Sequence, residues 1–243
     1  MTRRPVACAV LLLTTIGTGC KHPSTSSSGL KPTATGSAIV VSSGDKQVAP
    51  TGSVLTNPLV VQVNDDQGNS VTGALVEFHG PAGVVFDPAA VLTDSSGQAT
   101  TNVRLGTIGG LYEVTASTPG KAHPVTLQIA ETALGYQQQL GSILQDKYCS
   151  RCHNPESSAA QVSNYDNLAV KPHPFTDGET LNKMSNADLL SIIQHGGPAL
   201  NRSALMPPYG NTLSPTDVQA IISYIRVVAD PPYRPAGTVY GQK

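Results

Sequence analysis

From residue 36 to about 131 the chain alternates apolar and polar positions in short runs separated by turn residues. Leu59, Val61 and Val63 share one side of a strand that ends at Asp65-Asp66-Gln67-Gly68-Asn69, and a second strand runs from Val71 to Phe78. Asp94-Ser95-Ser96-Gly97 is the next turn. It leads into a period-2 run of Ala99, Thr101, Val103 and Leu105. Gly109-Gly110 breaks the chain before Tyr112, Val114 and Ala116, and Val125, Leu127 and Ile129 supply a last strand. Strands this short, with turns at such spacing, predict an antiparallel sandwich of immunoglobulin type. Asp65, Asp66 and Asn69 are candidates for a calcium site, but such residues also suit a solvated turn.

From 133 to 230 the period changes to that of helices. Tyr136 to Tyr148 is predicted as one helix, with Leu140, Ile143, Leu144 and Tyr148 on a broad apolar face. Ser185-Asn186-Ala187-Asp188 marks a second start, with Met184 and Leu189 placed as a hydrophobic staple and Gly196-Gly197 as the stop. Ser214-Pro215-Thr216-Asp217 repeats the device with Leu213 and Val218. Val218, Ile221, Ile222, Ile225 and Val228 then form the stripe to be buried, and Asp230-Pro231-Pro232 ends the helix.

The chemistry sits between the first two helices. Cys149-Ser150-Arg151-Cys152-His153 has the C-x-x-C-H spacing of covalent haem attachment, in which two thiols bond the porphyrin and the next imidazole becomes the proximal ligand. A zinc site needs a second ligand pair, and the sequence has neither another C-x-x-C nor an H-x₃₋₅-H. A thioredoxin-like reading needs an adjoining βαβ pattern, which is absent.

The other two of the four cysteines are N-terminal. Arg3 and Arg4 followed by the apolar run Val6 to Ile16 read as a secretory signal, too short to span a bilayer comfortably. Gly17-Thr18-Gly19-Cys20 resembles a bacterial lipobox, which implies cleavage after residue 19 and lipidation of Cys20. Ordinary cleavage would instead leave Cys20 as a stray thiol. Residues 20–35 have no apolar period and read as a flexible tether. Export and haem attachment agree, because bacteria attach haem c outside the cytoplasmic membrane.

Composition adds exclusions. Of 243 residues 39% are hydrophobic and 13% charged, and the net charge of −1 offers no basic field for nucleic acid or anionic lipid. The abundance of glycine (23) and proline (19) suits turns and linkers.

Two resemblances extend the reading. Pro58 to Asp65, Gly68 to Phe78, Thr93 to Ala99 and Gly110 to Ala116 together resemble a bacterial Ig-like domain of the invasin/intimin (Big-1) type over residues 36–131. That resemblance implies a stalk or adhesion module. Without Cys or Trp in this segment, the disulfide-and-Trp core of antibody domains is excluded. Residues 133–230 resemble a class I mono-haem cytochrome c. The resemblance implies that Gly141 stands where the first and last helices cross, with Tyr224 opposite. Gln145 replaces the family's aromatic residue four positions before the first Cys. It also implies a proximal ligand, His153, steadied by a proline carbonyl, with Pro155, Pro172 and Pro174 all in range. The sixth ligand is expected from Ala204-Leu205-Met206-Pro207-Pro208-Tyr209-Gly210, and Met206 is the methionine left for it. His195 is the rival, although it suits a helix C-terminus. Arg202 is a candidate for a haem propionate.

The expected protein is therefore an all-β Ig-like sandwich followed by an all-α cytochrome c domain, with residues 231–243 as a tail. It would carry one covalent haem c on Cys149 and Cys152, with His153 and Met206 as axial ligands and lipid on Cys20. The expected role is single-electron carriage between redox protein partners at the cell envelope, on the periplasmic or outer-membrane side. It is expected to be no enzyme and to bind no nucleic acid or small-molecule substrate. Alternatives are the cytochrome subunit of a periplasmic dehydrogenase complex, a surface adhesion protein and a haem sensor.

Overall fold

A computed structural model describes residues 29–157 and 161–235. The expected signal sequence, Cys20 with most of the tether, and the end of the tail lie outside the described residues.

Among the described residues nine strands build two sheets around one apolar core. One sheet has the order β1 (Ala38–Ser43), β3 (Leu59–Asn64), β7 (Gln98–Arg104), β5 (Val85–Asp87). The other has β2 (Val48–Pro50), β9 (Val125–Leu134), β8 (Gly110–Thr118), β4 (Leu75–His79), β6 (Ala90–Leu92). Every strand pairing is antiparallel except β2 with β9, where Val48 lies beside Thr132. The alternation read from the sequence sets the inner face: Leu59, Val61, Val63 and Val103 from one sheet meet Val76, Phe78, Val114 and Ile129 from the other. Tyr112 fastens the start of β8 by donating its phenol hydrogen to the Ile108 carbonyl at 2.8 Å.

One local expectation changes, and at Asp65 the favoured turn reading agrees with the structure. The strand expected from Val71 begins at Leu75, because Gly73 turns the chain at φ +74° and Thr93 Oγ1 ties Val71 and Ala74 into a corner. Asp65 is a turn former: its Oδ1 accepts the backbone N–H groups of Gln67 and Asn69, while Asp66 pairs with Lys121. Among the described residues, no group of three or more His, Cys, Asp or Glu side chains is gathered for a metal.

The second half contains α1 (Tyr136–Tyr148), α2 (Ser150–His153), α3 (Gly178–Leu181), α4 (Asn186–His195) and α5 (Pro215–Val228). α4 and α5 start where the caps were read. Ser185 Oγ accepts from Asp188 N–H and Asp188 returns a carboxylate to Ser185 N–H, and Ser214 with Asp217 does the same. Both staples close onto one cluster containing Leu189, Ile193, Leu213, Val218, Ile221 and Ile225, with Met184 against it. α1 crosses α5 at Gly141, where any β-carbon would collide with the Ala220 carbonyl. This crossing fixes which face of α1 is inward: Gly141 and Gln145 are buried, and Ile143, some 200° around from Gly141, is 66% exposed. The apolar face read from the sequence therefore loses Ile143.

The two halves share backbone. β9 ends at Leu134 and α1 begins at Tyr136, so only Gly135 separates strand from helix. Gln138 Oε1 accepts the Gly135 N–H at 2.7 Å, and Gln139 donates to the Leu134 carbonyl at 2.8 Å. A second contact joins Lys46 to Asp230 at 2.8 Å. Both partners are well exposed, so this pair adds little stability.

The same strand carries an unexpected buried acid. Inward register along β9 runs Val125, Leu127, Ile129, Glu131 and Ala133, and Glu131 is fully buried. Its Oε2 accepts the Gln47 N–H at 2.8 Å, while Oε1 has no hydrogen-bond partner. Burial pushes its carboxyl up to about 7, partly opposed by the Gln47 hydrogen bond. Among the described residues, no helix is long and apolar enough to cross a membrane.

Candidate functional site

The site is built at the end of α1. The carbonyl of Cys149 accepts the N–H groups of Cys152 at 3.1 Å and His153 at 3.0 Å, folding the C-x-x-C-H segment into a tight turn. Carbonyls left open at the end of α1 are taken by side chains, as helix ends require. Ser150 Oγ donates to Asp146, and the Tyr209 phenol donates to Tyr148 at 2.8 Å.

Both cysteines are free thiols. Burial, and secondarily the neighbouring Cys152, pushes the Cys149 thiol up to about 12. Reactive redox cysteines and metal thiolates need the opposite displacement. The setting of Cys149 thus lacks the depressed thiol pKa of a thioredoxin-like nucleophile.

His153 is set up as a neutral ligand. Its Nδ1 donates to the carbonyl of His173 at 2.8 Å, which leaves the Nε2 lone pair available. Burial lowers its pKa, against the opposing pull of that hydrogen bond. Its ring lies 4.9 Å from that of Phe175. The supporting carbonyl therefore comes from none of Pro155, Pro172 or Pro174 but from the residue enclosed by the last two. Proline on both sides stiffens that carbonyl's backbone. The His173 ring turns away to Asp177 Oδ2 at 2.8 Å, and Asp177 Oδ1 also caps α3 at Thr180 N–H.

Met206 is half-buried and packs against the same cluster as Phe175, Tyr148 and Tyr209. Its loop is stitched to the end of α4. Gly197 N–H donates to the Met206 carbonyl, Tyr209 N–H to Ile193 and Gly210 N–H to Gln194, each at 3.0 Å. Gly196 adopts φ +81°, and a β-carbon on Gly197 would collide with the Ser203 carbonyl. The glycine pair read as a helix stop thus also receives the Met206 loop. His195 is exposed in the last turn of α4, and Met184 is the staple beside Leu189. Arg202 is exposed.

Gln145 is buried, with Nε2 3.3 Å from Asn154 Oδ1. Beside it lies a cavity of about 320 Å³, reached also by Pro174, Phe175 and Tyr224. Phe175, Tyr209 and the His173 carbonyl had no role in the reading of the sequence. An aromatic residue three positions after Met206 was the available signal for Tyr209.

Residues 137–225 match the family model described as cytochrome C oxidase, cbb3-type, subunit III. No curated protein matches the chain significantly. Solved structures with likeness include the D00-D0 domain of intimin, at 16% identity and a TM-score of 0.32, covering 43% of this chain and 51% of that one. Domains 4 and 5 of the S-layer protein SbsC follow at 19% and 0.31, covering 40% and 51%. Invasin, a bacterial integrin-binding protein, follows at 23% and 0.29, covering 40% and 19%. The chain spans about half the length of the intimin and S-layer structures it matches.

Proposed function

With residues 137–225 a c-type cytochrome domain whose cofactor is covalent haem c, we propose that this chain is an exported, lipid-anchored electron carrier. In this reading Cys149 and Cys152 hold the haem, and His153 and Met206 ligate its iron. The observation that carries it is the bond from His153 Nδ1 to the His173 carbonyl, beside the two thiols. It orients a neutral imidazole for ligation through Nε2, as metal-bound histidines require. Haem c, when bound, supplies a one-electron couple, and thioether ligation raises its reduction potential. The chain's own residues do the rest. The thiols fix the group covalently, and His173 and its flanking prolines hold the proximal ring. The loop stitched to the end of α4 offers Met206 from the edge of the apolar cluster. With His153 and Met206 both committed to the iron, the haem would supply electron transfer and no open site for substrate. The Ig-like sandwich serves as spacer or docking module, and Cys20 with the segment after it serves as anchor.

The test is spectroscopic. The reduced protein should be low spin and indifferent to CO, whereas CO binding would favour a sensor. Cys149→Ala/Cys152→Ala should carry no haem that survives denaturing gel electrophoresis. Cys20→Ser should lose incorporation of labelled fatty acid and be released from membranes. Unchanged retention would shift the anchor to the apolar N-terminal run.

A further inference from the structure

The end of α1 and the Met206 loop are distant in sequence, yet one side chain joins them. Tyr209 Oη donates to the Tyr148 carbonyl at 2.8 Å, and the two rings meet edge to face with centroids 6.1 Å apart. That carbonyl belongs to the last residue of α1, immediately before Cys149. The phenol therefore sits against the attachment turn. Its backbone is equally committed: Tyr209 N–H donates to Ile193, and its carbonyl accepts from Thr212 and Leu213. We propose that Tyr209 is a positioning residue that clamps the Met206 loop onto the attachment turn and so sets how firmly Met206 holds the iron. The proposal rests on Met206 being the sixth ligand.

The physical reason is loop freedom. The backbone hydrogen bonds of the Met206 loop run to the end of α4 and the residues just after it, and none of them refers the loop to α1. The phenol supplies that reference, across 61 positions of sequence. A net hydrogen bond of ordinary strength corresponds to about a two- to tenfold change in a local equilibrium. The competition between Met206 and an added ligand for the iron is such an equilibrium.

The experiment uses the ferric holoprotein and titrates it with imidazole, following loss of the sulfur-to-iron absorption band. Tyr209→Phe keeps the ring and removes the donor. It should bind imidazole about two- to tenfold more tightly than wild type, with a lower reduction potential because the protein's own thioether is held less well. A residue that merely fills space would lower thermal stability without moving either readout. Site-specific 3-fluorotyrosine at position 209, a stronger donor of native shape, should move the imidazole affinity the other way. Unchanged affinity in either variant overturns the proposal. If the band is absent from wild type or persists in Met206→Ala, the ligand assignment itself fails. If the band depends on Met206 and ignores position 209, only the clamp fails.

Discussion

Gly141 of α1 lies directly against the backbone of Ala220 in α5, with no room for even a methyl group between them. The first and last helices of the haem domain are held at backbone distance by this one missing side chain. Gly141→Ala should therefore destabilise the protein, although alanine is the better helix former. The expected cost is about 1–3 kcal/mol, as for other overpacked sites. Denaturant melts of the holoprotein check it, and equal or greater stability would contradict the crossing.

Glu131 makes stability depend on pH. Its folded pKa of about 7 stands above its ordinary value of 4.5, so the folded state binds the extra proton between them. Stability from this group is then complete below about pH 4.5 and is lost as pH rises through about 7. The interval limits the loss to about 3 kcal/mol. Glu131→Gln should flatten the profile and melt above wild type at pH 8. Parallel profiles for the two proteins from pH 5 to 8 would show that the carboxyl does not titrate there.

The axial ligand can be assigned by exchange. Met206→Ala should convert ferric haem towards high spin and create CO affinity in the ferrous form. Met206→His should stay low spin at a markedly lower potential. Met184→Ala should only loosen the start of α4, where Met184 packs as a staple. Sensitivity of the low-spin spectrum to His195→Ala instead would make the site bis-histidine.

Partner recognition should be nearly indifferent to salt. Residues 134–230 carry six Lys and Arg against eight Asp and Glu, with neither sign forming a run. Such a weak field steers little. The electron-transfer rate with the natural partner should change only a few-fold between low and physiological ionic strength, measured by stopped flow. A tenfold fall would reveal a charged patch assembled by the fold.

What the sequence conveyed depended on whether side chains or backbone carried the information. The caps at Ser185 and Ser214, the staples and the C-x-x-C-H turn are local side-chain signals, and they stand where the spacing put them. β2, β5 and β6 escaped because three-residue strands have too few positions to show a period, and β1 because Ile39 is its one buried residue. Ile143 was misplaced because the inward face of α1 follows Gly141, whose importance is the absence of a side chain. The support for His153 comes from a main-chain carbonyl, and any residue at 173 could present it. Glu131 was hidden by its charge: alternation placed it inward, while its chemistry argued for water.

Gly135 is the whole linker between β9 and α1. A haem domain on a long tether would sample partners from every direction, and its encounters would be set by diffusion of the tether. Here the sandwich acts as a handle. Turning it turns α1, and with α1 the thiol pair at its far end. Whatever holds the sandwich therefore chooses the direction in which the cofactor faces. Inserting a few flexible residues at 135 would leave both folds intact and remove that aim.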